Sequence, residues 1–211
     1  MTTIIKPNST VLFQGDSITD CGRDRNDPHS LGRGYPLITA AMFSALYPEH
    51  NVKFLNRGIS GNRTEHLVAR WQEDCIDLKP DFVSIMIGIN DVWHAFNKNI
   101  ETVPHEQFAD NYRTILQMIR DHLDAQILLM EPFVLHTSED RALWRPDLDP
   151  KREIVKRLAQ EFDAIFVPID SIMQEAANKL GPGFWGPDGV HPSPAGHGLI
   201  AKSWLEAVGA F

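Results

Sequence analysis

The sequence predicts an α/β fold: a three-layer α/β/α sandwich on a five-stranded parallel sheet, in one domain over residues 1–211. Three observations predict it. Short apolar runs alternate with amphipathic stretches along the whole chain. Several runs are nearly continuous, as parallel strands covered on both faces require. No internal repeat, low-complexity tract or linker divides the chain.

Taken in order, Val11, Leu12 and Phe13 form the first apolar run, and the stretch Tyr35–Leu46 reads as the first helix. A second strand is expected over residues 52–55. The helix expected over 64–76 carries Leu67, Val68, Trp71 and Cys75 at spacings of three and four. Residues 82–87 are the third strand, and Phe108, Tyr112, Ile115, Ile119 and Leu123 make the stripe of the next helix. Residues 127–130 follow as the fourth strand. Ile154, Leu158 and Phe162 then mark a helix, and Ile165–Val167 reads as a short fifth strand. The last helix is expected over 194–208, with Pro194 suited to its first turn. This order implies a doubly wound sheet with its ligand site at the carboxyl ends of the strands.

Composition narrows the function. Hydrophobic residues make up 43% and charged residues 23%, the balance of a globular protein. A formal net charge of -8 argues against nucleic acid or an anionic membrane as the main partner, since both need clustered Lys and Arg. No apolar run approaches the roughly 18–20 residues of a membrane span. The N-terminal MTTIIKPNSTVLF lacks the basic and long apolar regions of a secretory signal, so a cytoplasmic protein is expected, with Cys21 and Cys75 as reduced thiols.

The loops after the strands carry the chemistry. Gln14-Gly15-Asp16-Ser17-Ile18-Thr19-Asp20 follows the first strand, and Gly15 permits a sharp turn that projects Ser17. A serine hydroxyl needs a neighbouring base to act as a nucleophile. Asp16, Ser17 and Thr19 equally suit a simple turn cap. Near the C-terminus, Asp188 and His191 stand three apart in the Gly- and Pro-rich segment GPDGVHPSP. A turn there brings a carboxylate to one imidazole nitrogen and leaves the other as a base. A loop carboxylate and a helix-capping histidine would give the same pattern. For a developing oxyanion, Gly61 offers an unobstructed N–H, Asn90 its side-chain amide, and Ser17 its own N–H; Gly61 and Asn90 are also ordinary turn residues.

The segments GDSITD, GISGN, GIND and DGVHPS resemble, in order and spacing, the four blocks of the SGNH (GDSL) hydrolases over residues 11–198. The resemblance implies the flavodoxin-like SGNH fold, with Ser17 as nucleophile, Gly61 and Asn90 as oxyanion donors, and Asp188 and His191 completing the triad. Thr19 stands where a Gly-x-Ser-x-Gly motif would have its second glycine, which speaks against an α/β-hydrolase. FQGDSITDCGR, RGISGN, ARWQEDCIDLKPDFVSIMIGINDVW and VHPSPAGH are similar to the intracellular acetylxylan esterases of that family. Such enzymes carry an aromatic immediately before the triad Asp; this chain has Pro187 there, with Trp185 two residues earlier.

The expected activity is therefore a serine esterase removing acetyl groups from a small acetylated sugar or xylo-oligosaccharide, with no cofactor and no metal. The resemblance also implies a homo-oligomer. Asp16, Arg63, Trp93 and Trp185 are the expected substrate contacts, the tryptophans because an aromatic face packs on a sugar ring. Cys21 lacks a motif and reads as an inert thiol. Two alternatives stand beside this: an esterase, lysophospholipase or thioesterase with a longer acyl group, and a phosphate- or flavin-binding module using Ser17 and Thr19 as ligands, against which Asp16 and Asp20 weigh.

Overall fold

The computed structural model describes residues 3–97 and 100–211, Asn97 by its backbone alone. In chain order its elements are β1 (Thr10–Gly15), α1 (Ser17–Asp20), α2 (Tyr35–Leu46), β2 (Lys53–Asn56), α3 (Thr64–Asp74), β3 (Phe82–Met86), α4 (Asn90–Asn97), α5 (His105–His122), β4 (Gln126–Met130), α6 (Glu139–Ala142), α7 (Arg145–Glu161), β5 (Ile165–Val167), α8 (Ile169–Leu180), α9 (Pro182–Trp185) and α10 (Pro194–Ala207). The five strands form one parallel sheet in the order β2-β1-β3-β4-β5.

Strand side chains alternate between faces, so β1 sends Val11 and Phe13 one way and Leu12 the other. On the first face, Phe13, Phe82 and Met130 pack with Tyr35 and Phe43 of α2, Met173 of α8 and Trp204 of α10. On the second, Leu12, Val83 and Leu129 pack with Trp71 of α3, Tyr112 of α5 and Leu158 of α7. Both faces are thus covered, which is why the strands read as continuous apolar runs. The indole N–H of Trp204 would be stranded in the first layer without Ser84 of β3, whose hydroxyl takes it at 3.1 Å.

All five strands lie where the patterning put them, and the long α5 buries its stripe from Phe108 to Ile119. Several boundaries and elements differ. β1 runs on through Gln14 and Gly15, because the polar Gln14 is buried with hydrogen-bond partners of its own: its amide donates to the Asp74 carbonyl at 2.7 Å. α7 begins nine residues before Ile154, with Pro146 in its first turn and Pro150 inside it, a residue that discourages a helical reading. α8 was not anticipated. α1 and α4 replace what the sequence suggested were turns.

The strand order reverses direction between β1 and β3. The loops that leave these two strands therefore diverge and open a crevice at the sheet's carboxyl edge.

Candidate active site

β1 delivers Ser17 to that crevice through a close approach only glycine permits. A Cβ on Gly15 would stand 2.3 Å from both the Met86 carbonyl oxygen and Thr19 Oγ1. Asp16 then caps α1, accepting the Ile18 N–H at 3.0 Å, and Ser17 becomes the first helical residue.

Across the crevice, the loop before α10 brings in His191. Its Nε2 lies 2.9 Å from Ser17 Oγ, and its Nδ1 lies 2.7 Å from Asp188 Oδ2. Oδ1 of the same carboxylate accepts the backbone N–H groups of Val190 at 2.9 Å and His191 at 2.7 Å. A carboxylate can only accept, so the ring proton sits on Nδ1 and Nε2 is left to accept from the Ser17 hydroxyl. Burial acts to raise the Asp188 carboxyl, yet the His191 ring N–H and the two backbone N–H groups hold it down at about 2. The hydrogen bond to Asp188 raises His191 above its ordinary value, against the opposing effect of burial.

The third loop supplies donors. Ile59, Ser60 and Asn62 all donate their N–H groups within the chain, to the Gly15 carbonyl, the Asp20 carboxylate and the Ile59 carbonyl. Gly61 lies between them at φ +83 with nothing within 4 Å of where a Cβ would stand, and its N–H has no acceptor among the described residues. Asn90 opens α4 and gives one amide hydrogen to the Asn62 carbonyl at 3.0 Å, leaving the other unspent. Ser17, Ser60, Gly61, Asn90, Trp93, His94 and His191 together line a cavity of about 210 Å³. A hollow of about 550 Å³ between α5 and α7 is larger, but it is walled by surface charges such as Glu106, Arg113 and Arg157 and holds no nucleophile beside a base.

Of the expected substrate contacts, only Trp93 is on the cavity wall. Its ring lies 5.4 Å from that of His191 and 5.7 Å from that of the fully buried Trp144. Asp16, expected to contact substrate, is instead buried and does not line the cavity; loss of solvent pushes its carboxyl up to about 7, only partly offset by the Ile18 N–H. Arg63 is not among the residues lining the cavity; it pairs with Glu65 and donates to the Glu101 carbonyl. Trp185 packs edge-on against Phe184 at 5.0 Å. The phosphate-site alternative loses its second ligand, since the Thr19 hydroxyl faces inward onto the Tyr35 hydroxyl at 3.0 Å.

Cys21 and His197 form a second nucleophile-like pair at 3.4 Å. His197 Nδ1 accepts the Tyr35 N–H, so its ring proton is on Nε2, aimed at the sulfur rather than ready to accept from it. Burial holds His197 down at about 4 and pushes the Cys21 thiol up. The pair stays neutral and does not generate a thiolate.

The model of the GDSL-like lipase/acylhydrolase family matches residues 13–199. The chain belongs to this family. An acetylxylan esterase of Geobacillus stearothermophilus is 39% identical over 206 residues, covering 94% of this chain and 93% of that one. The crystal structure of that organism's acetylxylan esterase Axe2 superimposes with a TM-score of 0.90 at 37% identity, covering 97% of this chain and 96% of its own. A GDSL-like protein from Parabacteroides merdae reaches a TM-score of 0.93 at 39% identity over the whole of both chains. LAE5, an alpha/beta hydrolase enzyme from the metagenome of Lake Arreo in Spain, reaches 0.91 at 30%, covering 99% and 98%.

As a GDSL-family acylhydrolase the protein is a carboxylic ester hydrolase. Some of the residues that shape its site escaped the sequence reading. Ser60 and His94 line the cavity. Arg141 of α6 donates to the Asp188 carbonyl at 2.9 Å, while its guanidinium stacks 4.3 Å from the Trp144 ring and 5.7 Å from that of Trp93. It thereby ties the acid loop to the aromatic wall. Ser60 was findable within the GISGN block, whereas nothing local singles out an arginine 47 residues before its partner. Among the described residues no helix is long and apolar enough to cross a membrane.

Proposed function

We propose that the enzyme deacetylates carbohydrates, acetylated xylo-oligosaccharides foremost, through an acetyl-enzyme on Ser17. The observation that carries this is the unbroken chain from Ser17 Oγ through His191 to Asp188 on the wall of a cavity that also presents Gly61 and Asn90. Ser17 Oγ attacks the acetyl carbonyl carbon as its proton passes to His191 Nε2. The carbonyl oxygen becomes an oxyanion met by the N–H groups of Ser17 and Gly61 and the free amide hydrogen of Asn90. His191 then returns its proton to the sugar oxygen, which leaves as a hydroxyl. Water, deprotonated by the same nitrogen, attacks the acetyl-enzyme, and acetate departs with Ser17 restored.

Two further observations favour a short acyl group. A cavity of about 210 Å³ is smaller than the roughly 300–1,000 Å³ of pockets for drug-sized ligands. Trp93, backed by Trp144, closes it on one side. The acetylxylan esterase identity of the Geobacillus relative supports the choice of substrate. The whole chain acts as one domain, and its two free thiols suit a reducing compartment.

A fluorophosphonate probe followed by peptide mass mapping is expected to label Ser17 alone and abolish ester hydrolysis, with Ser17→Ala unlabelled and inactive. Across p-nitrophenyl esters, kcat/KM is expected to fall steeply from acetyl to butyryl. Full activity of Ser17→Ala refutes the nucleophile, and a rise towards octanoyl refutes the deacetylase.

A further inference from the structure

The proposed chemistry leaves the nearly buried Arg70 without a task. Arg70 projects from α3 with 14% of its side chain exposed and spends its planar fork on four partners. Nε donates to Asn62 Oδ1 at 2.9 Å, Nη1 to Gln14 Oε1 at 3.0 Å and to Asp74 Oδ2 at 2.8 Å, and Nη2 to the Gly15 carbonyl at 3.3 Å. Asp74 alone, one helical turn along, would satisfy its charge. The other three bonds lead out of the helix to β1 and to the loop after β2.

Those bonds end next to the groups assigned to the oxyanion. Gly15 is two residues before Ser17, and its carbonyl also accepts the Ile59 N–H at 3.1 Å. Asn62 directly follows Gly61, and its own carbonyl holds the Asn90 amide. The opposite shoulder of the loop is clamped separately, by Asp20 on the Ser60 N–H and hydroxyl. One rigid group therefore spans the strand that carries the nucleophile and the loop that carries the donors.

We propose that Arg70 is a positioning residue for the oxyanion site: by holding Asn62 against the end of β1 it sets Gly61 and the Asn90 amide at their working distance from Ser17. It touches no reacting atom, and the proposal rests on the reading of Gly61 and Asn90 as oxyanion donors. Lysine has the charge but not the fork, so it cannot reach Asn62 and Gly15 together. The benefit is confined to the transition state, because the oxyanion exists only there.

The test uses the full chain and p-nitrophenyl acetate, with kcat, KM, the pH profile and thermal unfolding measured for each variant. Asn90→Ala is expected to lose about 10²- to 10³-fold in kcat as a missing oxyanion donor. Arg70→Lys and Asn62→Ala are each expected to lose about ten- to a hundredfold in kcat through misplacement, with KM and the pH limb of His191 unmoved. Combining Arg70→Lys with Asn90→Ala is expected to cost less than the product of the two single losses, since the part of the Arg70→Lys loss that runs through the Asn90 amide is already gone while the part that runs through Gly61 remains. Losses that multiply in the double variant, or an Arg70→Lys enzyme with unaltered kcat, overturn the proposal. Full activity of Asn90→Ala instead overturns the oxyanion assignment, whatever Arg70 does. Should Arg70→Lys not fold, Asn62→Ala decides alone, because it leaves Arg70 on Gln14, Asp74 and Gly15; unaltered kcat there refutes the positioning role.

Discussion

Replacing Asp188 by asparagine should damage the enzyme more than removing the side chain altogether. The reason lies in how the carboxylate divides its oxygens. Oδ1 accepts two backbone N–H groups, from Val190 and His191, and Oδ2 accepts the His191 ring N–H at 2.7 Å. An amide fits the same space, but only its oxygen can take the two backbone hydrogens. Its NH2 is therefore turned onto Nδ1, which must become an acceptor. The ring proton is driven to Nε2, 2.9 Å from Ser17 Oγ, where a base is required. Asp188→Asn is expected to lose about 10³- to 10⁴-fold in kcat, or roughly 4–5.5 kcal/mol of activation free energy. Asp188→Ala imposes no tautomer, and with 44% of the His191 side chain exposed, water can take the Nδ1–H. It is expected to be the more active of the two. Because Asp188 raises His191, its removal also moves the acid limb of kcat/KM to lower pH. The assay is p-nitrophenyl acetate hydrolysis from pH 4 to 9, with both variants checked for native unfolding. An asparagine variant within tenfold of the wild type, an alanine variant slower than the asparagine one, or an acid limb that does not move down refutes the reasoning.

Two other outcomes follow from the same geometry. Asp16 binds its proton more tightly folded than unfolded, about 7 against an ordinary 3.8, so its contribution to stability is complete below about pH 4 and is lost as pH rises through 7. The gap sets an upper bound of about 4 kcal/mol. Asp16→Asn keeps the acceptor for Ile18 without the charge, so urea unfolding should show it gaining stability relative to the wild type between pH 5 and pH 8; an unchanged difference across that range would count against the buried charge. Trp93→Ala should open the cavity and shrink the preference for acetyl over butyryl, since each excluded methylene is worth about 1–3 kcal/mol. An undiminished ratio of kcat/KM values would show that Trp93 does not set acyl length.

The layering of this protein was legible in its sequence, and so were the candidate reactive groups that the fold brings together. Apolar runs such as Phe82 to Ile87 and the stripe from Phe108 to Ile119 encode burial directly, because side-chain periodicity is a local property of backbone geometry. Ser17, Gly61, Asn90, Asp188 and His191 were legible because each sits in a short, ordered block after a strand, and the fold class says where such loops meet. Elements at odds with local preference were not legible. Pro150 hid the start of α7, and the burial of polar Gln14 depends on Arg70 and Asp74 from another element. It took the assembled sheet to show that Asp16 lies buried, that Arg63 and Trp185 are not among the residues lining the cavity, and that Cys21 faces a ring N–H, because each depends on what other segments pack against it. Arg70 and Arg141 belong to the same class. The bonds of Arg70 to Gln14 and Gly15 and of Arg141 to Asp188 span 47 to 56 residues, and such pairings leave no periodicity in the chain; they exist only once distant segments are brought together by the sheet.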